Sequence, residues 1–349
     1  MQELLSVLAC PRDHTALRLG AGGLTCAKEH TYPVVEGIPV LLVTEDTPTI
    51  GIATASIAHG RQGADGQGPE DPWFTSTLGI SEGEKARLLE QAASGVSPID
   101  PVVRFLVGAT NGILYRDLVG ALSEYPIPEL RLPDGRGESL LDIGCSWGRW
   151  SIAAARKGYR TVGIDPSLGA VLAAQRVCRD LRLDSTFVVG DARRLPFFDS
   201  QFQAVISYSV IQHFAKSDAR ISVGEIGRVL APEGRSLIQM ANRFGIRSLY
   251  HQVRRGFRDA TGFEVRYWSP DELRQMCDAG IGTTRLTVDC FFGLGLQASD
   301  GHLMPPLRRF ALRASEYLRS ASSRCTWLQQ VADSLYAESI RATREGRPS

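Results

Sequence analysis

The stretch 138-ESLLDIGCSWGRWSIAAARKGYRTVGID-165 decides the fold. SLLDIG is a short apolar run that ends in glycine-rich punctuation, as a buried strand does. A helix-compatible segment follows through Lys157, and RTVGID is a second strand closing on Asp165. The same alternation continues outward. A helical stretch from Leu168 to Leu181 precedes strands TFVVGD and QAVISYS. A helical segment to about Leu230 precedes the turn and strand APEGRSLIQM, and TTRLTVD makes a sixth strand. Alternating strands and helices imply crossover connections, hence a mostly parallel sheet covered on both faces. The expected fold is α/β, a doubly wound Rossmann-like sheet.

In such sheets ligands bind outside the carboxyl ends of the strands. Strand one runs into Asp142, Gly144, Cys145, Ser146 and Gly148, whose small side chains let the backbone turn tightly and approach a ligand. Asp165, 23 residues after Asp142, places a carboxylate beside that loop, suited to accept hydrogen bonds from two ribose hydroxyls. Strand three ends in Asp191 and Ala192, an acid with a small neighbour that suits an adenine. Strand four ends in Ser207 and Tyr208 and leads to His213. An imidazole there is either a general base or a cap on the backbone. Tyr208 either lines a reaction channel or is plain wall.

These residues resemble the class I S-adenosylmethionine-dependent methyltransferases. LLDIGCSWGRW looks like their glycine-rich first motif, GIDPS like the second, VVGDARRLPF like the third and AVISYSVIQHF like the fourth. EIGRVLAPEGRSLIQM is similar to the helix, turn and strand that follow. The resemblance is close over about Glu138 to Met240. It implies that Asp142, Gly144, Cys145, Ser146 and Gly148 frame the methionine end of S-adenosylmethionine. Asp165 and Pro166 would hold the ribose, Asp191 and Ala192 would flank the adenine, and Ser207 and Tyr208 would line the inner wall. Ser146 stands where the family usually has its middle glycine, an uncomfortable residue if that position needs positive φ. A nicotinamide dehydrogenase, the rival for this topology, needs G-x-G-x-x-G. Here Cys145, Ser146 and Trp147 separate Gly144 from Gly148.

Upstream, Cys10, His14, Cys26 and His30 form C-x₃-H…C-x₃-H, two short pairs that can converge on tetrahedral zinc. The run CP…C…HTYPVVEGIPVLL resembles the zinc ribbon that accompanies several tRNA, rRNA and small-molecule methyltransferases. In that family the second ligand lies three residues after the first, which here is Asp13, so either Asp13 or His14 is the candidate. Such a zinc would be structural; the alternative reading is a site that has lost its metal. The expected organisation is a ribbon-like β module over 1–47, a flexible Gly-rich linker over 48–72 and a helical preface over 73–137. The methyltransferase domain follows over 138–300, and C-terminal helices over 301–349 are candidates for dimerisation. Asn111, Tyr115 and Arg116 are lid candidates, with Tyr115 assigned to the cofactor.

A basic helical insertion, 243–260, carries Arg243, Arg247, His251, Arg254 and Arg258 along one face. Either this is a solvated face or it binds an anion such as a phosphate, a carboxylate or an RNA backbone. Thirty-nine basic against 38 acidic side chains give a net charge of +1, which excludes a generic polyanion binder. No run approaches 18 apolar residues, so no membrane span or membrane partner is expected. Seven scattered cysteines, an odd count, and no secretory leader point to a reducing, cytoplasmic setting. The expected activity is methyl transfer from S-adenosylmethionine to a small-molecule acceptor, anionic if the arginine face binds it. The alternatives are an RNA methyltransferase docking through ribbon and arginines, and a catalytically silent cofactor-binding partner protein.

Overall fold

The computed structural model describes residues 2–20, 22–43, 52–62, 81–94, 97–293, 295 and 297–342. After a single turn, α1 (Gln2–Leu5), strands β1 (Leu17–Gly20), β2 (Gly23–Cys26) and β3 (Thr31–Tyr32) form a small antiparallel sheet. The next hairpin, β4 (Val34–Val35) and β5 (Ile38–Leu41), does not belong to it. β5 pairs in parallel with β8 (Ser185–Gly190), Val40 opposite Val189, so the N-terminal segment supplies an edge of the main sheet. Ala9 N–H also donates to the Pro196 carbonyl (2.9 Å) and Phe198 N–H to that of Val7 (3.0 Å). The ribbon-like segment is therefore welded onto the loop after β8.

The main sheet runs β11-β12-β10-β9-β6-β7-β8-β5-β4, with β6 (Ser139–Ile143), β7 (Arg160–Asp165), β9 (Phe202–Tyr208) and β10 (Leu230–Ala241) at its centre. The five strands from β6 to β10 are parallel, and the order reverses at β6, between β7 and β9. That reversal is the switch point where a cleft opens. The crossovers are α5 (Arg149–Arg156), α6 (Leu168–Asp180) and α7 (Lys216–Val229). The fold is a doubly wound, mostly parallel Rossmann-like sheet with helices on both faces.

Two stretches differ from the sequence reading. Ile52–Gln62, inside the stretch read as linker, is a helix (α2), and the rest of 48–72 lies outside the described residues. Besides partly buried Ile57, it packs by close approach of small residues such as Ala53 and Gly60. Ser56 is fully buried, its Oγ donating to the Pro166 carbonyl (2.7 Å) and accepting from Leu168 N–H (3.0 Å). The C-terminal segment is not only helical. After α10 (Pro306–Ser322) and α11 (Leu328–Val331), Ser334–Arg341 forms β12, inserted antiparallel between β10 and β11 (Gly282–Cys290). With a strand on each side, Leu335, Tyr336 and Ala337 are buried, which overrides the helical leaning of SLYAESIR.

The preface comprises α3 (Glu82–Ala93), α4 (Pro101–Thr110) and a 3₁₀ helix, Ile113–Ala121. Asp100 caps α4 by accepting from the amides of Val102 and Val103, and its other oxygen pairs with Arg176 of α6 (2.8 Å). The basic insertion contains α8 (Ile246–Arg254), and α9 (Pro270–Gly280) begins at the capping box Ser269–Glu272.

Candidate active site

A continuous cavity of about 1480 Å³ opens at the carboxyl ends of β6 to β9. Its floor is the loop after β6, where Gly144, Ser146 and Gly148 all take positive φ (73°, 47° and 82°). Gly144 is obligatory, because a Cβ there would lie 2.2 Å from Val210 Cγ2. Ser146 does occupy the left-handed region. Its amide donates to Asp165 Oδ2 (3.0 Å), which helps offset that conformation. Asp165 Oδ1 accepts from Ser167 N–H (2.9 Å), so each oxygen keeps a lone pair for a ligand. Burial raises the Asp165 pKa to about 6.

Gly144, Cys145, Ser146, Asp165, Pro166, Asp191, Ala192 and Tyr208 line the cavity. Arg193 grips both oxygens of Asp191 (Nε–Oδ1 3.0 Å, Nη2–Oδ2 2.6 Å), so that carboxylate is rigidly presented. Four expected cofactor residues do not line it. Gly148 shapes the turn into α5. Asp142 is buried beneath the loop, accepting from Ser151 Oγ (2.7 Å), and burial pushes its pKa up to about 7. Ser207 turns into the core, its Oγ without a partner among the described residues.

Tyr115 is also buried. Its hydroxyl donates to Asp300 and accepts from Arg149 Nη2 (2.8 Å), and Asp300 pairs directly with Arg149. Arg149 borders the cavity; Tyr115 braces it from behind. Sequence reasoning gave no role to Arg149 or Asp300, which lie 151 positions apart and leave no local signal. Asn111 and Arg116 of the preface do line the cavity. Asn111 Oδ1 accepts from Trp147 Nε1 (3.4 Å), while its buried Nδ2 has no partner among the described residues. An unspent donor on Asn111, the Asp165 carboxylate with free lone pairs and a glycine-cut floor fit a polar nucleoside-type cofactor.

On the opposite wall, the His213 ring lies on Phe263 and donates from Nδ1 to the Phe263 carbonyl (2.7 Å). That bond places the proton on Nδ1 and leaves Nε2 an acceptor. Burial lowers the His213 pKa to about 4. Tyr208 is more constrained. Its hydroxyl donates to buried Asp289 (3.1 Å) and accepts from Gln297 Nε2 (2.9 Å), and its ring rests on Trp150. Asp289 also accepts from Gln239 and Ser334, so Tyr208 is held as wall.

Arg247, His251, Arg254, Arg255 and Arg258 face the same cavity, but Arg243 does not. The chain turns back to bring Glu264 against Arg258 (2.6 Å) and within 3.9 Å of Arg255, an acidic partner that the helical face alone did not reveal. Arg247, His251 and Arg254 have no carboxylate at salt-bridge distance among the described residues. α8 is anchored by Asp333, whose Oδ1 accepts from the amides of Arg247 (2.6 Å) and Ser248 (3.0 Å).

Near the N-terminus, Cys10, Asp13, Cys26 and His30 bring one ligand atom each within 4.8 Å of one another. His14 is exposed and outside the group. His30 Nδ1 lies 3.5 Å from Cys10 Sγ, 3.3 Å from Cys26 Sγ and 3.5 Å from Asp13 Oδ2. Cys26 Sγ lies 3.8 Å from Asp13 Oδ2. A tetrahedron with bonds of about 2.0–2.3 Å has edges of about 3.3–3.8 Å. The donor set fits zinc.

Residues 140–234 match the family described as Methyltransferase domain. That stretch of the chain thus carries a methyltransferase domain by sequence similarity. It is 30% identical over 108 residues to the ubiquinone biosynthesis O-methyltransferase of Azorhizobium caulinodans, covering 31% of this chain and 42% of that protein. It is 31% identical over 134 residues to the tRNA (carboxymethyluridine(34)-5-O)-methyltransferase alkbh8 of Xenopus tropicalis, covering 36% and 20%. The chain spans less than half the length of these relatives. Among solved structures, a SAM-dependent methyltransferase of Methanosarcina mazei aligns with a TM-score of 0.43 at 19% identity, covering 60% of this chain and 94% of that one. Among the described residues no helix is long and apolar enough to cross a membrane.

Proposed function

We propose that this chain transfers a methyl group from S-adenosylmethionine to a small acceptor bearing an anionic group. One observation carries the reading: a single cavity joins Ser146, Asp165 and Asp191 at one end to Arg247, His251 and Arg254 at the other, none of which has a carboxylate at salt-bridge distance among the described residues. The cofactor, when bound, supplies an already activated methyl on a sulfonium. The loop from Gly144 to Ser146 would hold its methionine end, Asp165 its ribose hydroxyls and Asp191 with Ala192 its adenine. Asn111 Nδ2 supplies a further donor. The protein's remaining tasks are to orient the acceptor and exclude water. Arg247 and Arg254 orient it by its anionic group, and His213 Nε2 accepts the proton that a hydroxyl or amine nucleophile loses. The cations line the cavity, which favours a small molecule over an RNA backbone laid across the surface.

Isothermal titration with S-adenosylhomocysteine tests the cofactor half; the expected result is micromolar or tighter binding, and no binding overturns it. Charge reversal at Arg247 and Arg254 tests the acceptor half. In a screen of anionic and neutral acceptors, the variant loses turnover of the anionic ones while keeping cofactor affinity. Unchanged turnover overturns the assignment.

We further infer that Cys10, Asp13, Cys26 and His30 bind one structural zinc. Four protein ligands leave no open position for chemistry.

A further inference from the structure

The helix that lines the cavity with cations turns a second face to water, and that face is apolar. In α8, Ile246, Leu249, Tyr250 and Val253 fall within one arc of about 100° and are exposed, with Val253 at 62%. Arg247, His251 and Arg254 occupy the neighbouring arc and face the cavity; Ser248 and Gln252 occupy the third and are buried. The apolar strip extends beyond the helix through exposed Phe244 and Phe257 (65%). An ordinary surface helix buries its apolar face and exposes its polar one. Here the arrangement is inverted. A contiguous apolar strip in water marks an interaction surface.

The charge around the strip selects the occupant. Residues 243–258 contain six basic side chains, His251 included, and no Asp or Glu; Glu264 pairs with two of them, Arg255 and Arg258, and four are left without a carboxylate at salt-bridge distance among the described residues. Two copies meeting strip to strip would bring these cations together with no acid in the strip to pair them. A bilayer surface bearing anionic headgroups satisfies both the aromatic and aliphatic side chains and the flanking arginines. Arg243 lies exposed at the start of the strip, and Arg258, exposed at its end, is already paired with Glu264, so Arg243 with the cavity-facing Arg247 and Arg254 supplies the charge a headgroup would meet. α10 has a similar outer face, with Leu307, Phe310 and Tyr317 exposed beside Arg309 and Arg313. The turn after β11 touches both helices: Phe291 N–H bonds Ser315 Oγ of α10, and Gly293 abuts Arg247 of α8.

We propose that the strip from Phe244 to Phe257 seats this protein on the surface of an anionic bilayer. Its cavity-facing cations then lie beside the lipid headgroups. The contact is peripheral, made by side chains at the interface, and involves no membrane span. It does not rest on the methyltransferase reading, and its test uses no turnover.

The test is flotation of the full chain with vesicles of phosphatidylcholine alone and of phosphatidylcholine mixed with phosphatidylglycerol. The expected result is flotation with the mixed vesicles, weakened by salt. The double variant Val253→Glu, Phe257→Glu is expected to lose at least about tenfold in partitioning. Both sites are exposed and outside the cavity lining, so an unchanged circular dichroism spectrum and melting temperature verify the variant's fold. Absence of flotation, or equal flotation of wild type and variant, overturns the proposal. Equal binding to both vesicle types overturns the charge argument on which it stands. A wild-type dimer that the variant dissociates, without flotation, assigns the strip to a second copy instead.

Discussion

The rings of His213 and Phe263 lie 4.0 Å apart and within 4° of parallel, while His213 Nδ1 donates to the Phe263 carbonyl. Fifty positions separate the two residues. The stack fixes both the plane and the tautomer of the imidazole. Burial disfavours its charged form and takes its pKa to about 4, so the ring stays neutral across the physiological range. A pH–rate profile is therefore expected to show no His213 limb near 6.5, only a fall as pH drops toward about 4. His213→Ala is expected to lower turnover about 10²-fold with S-adenosylhomocysteine affinity intact. Full turnover in that variant would remove His213 as the base.

Asp165 works with the opposite sign. Its pKa is raised, to about 6, and its ionised form is the better acceptor for ribose hydroxyls. Affinity for S-adenosylhomocysteine should accordingly increase as pH rises through about 6, measured by titration calorimetry in buffers of differing ionisation heat. Asp165→Ala also releases the Ser146 amide from its acceptor, leaving a serine at φ 47° with less to hold it there. A loss of at least about tenfold in affinity is expected, equivalent to about 1.4 kcal/mol. Affinity independent of both pH and the substitution would show that another group holds the ribose.

The parts of this molecule legible in its sequence are those whose logic is local. Each strand from β6 to β10 announces itself by an apolar run with a turn signal after it, and the ligand-facing residues follow at once. The helix α2 escaped because it packs through Ala53, Ser56 and Gly60, small residues that read as linker composition. Strand β12 escaped because its burial comes from β10 and β11 on either side, a property of the sheet and not of SLYAESIR. Tyr115 looked like a lid residue, yet its place is set by Asp300, contributed by the 3₁₀ helix Ala298–Leu303, 185 positions away. Asp13 displaced His14 in the metal cluster because the turn after Cys10 points one inward and leaves the other in water.

The Arg149–Asp300 pair ties the cavity wall to the segment after β11, both side chains almost wholly buried. Removing one partner of such a pair leaves a charge without compensation. Asp300→Ala is expected to destabilise the fold by about 3–5 kcal/mol in denaturant unfolding. The double variant Asp300→Leu, Arg149→Met should recover part of this, because no lone charge remains. A single-variant cost below about 1 kcal/mol would mean that water reaches the pair.

Asp142 is a buried carboxylate hydrogen-bonded by the Ser151 hydroxyl and backbone amide, yet burial raises its pKa to about 7 against an unfolded value near 3.9. The folded state therefore keeps a proton that the unfolded chain gives up. Its contribution to stability is fully present below about pH 4 and is lost as pH rises through about 7. Asp142→Asn preserves an acceptor for Ser151 and abolishes the titration. Thermal unfolding at pH 5 and pH 8 should show the variant gaining on the wild type at the higher pH. Parallel curves would indicate that Asp142 is ionised in the folded protein at both values.

Zinc, if held by Cys10, Asp13, Cys26 and His30, should stabilise more than the small sheet. Ala9 and Phe198 bond this segment to the loop after β8, the loop that presents Asp191, and β5 completes the main sheet. Metal loss should then lower a single cooperative unfolding transition and weaken cofactor binding, rather than produce a separate early transition. Mass spectrometry of metal content is expected to give about one zinc per chain. Asp13→Ala should lower zinc retention under chelator challenge, whereas His14→Ala should leave it unchanged because His14 stands outside the cluster. The reverse pattern would return the second ligand to His14, and an independent low-temperature transition would show that the segment folds apart from the sheet it joins.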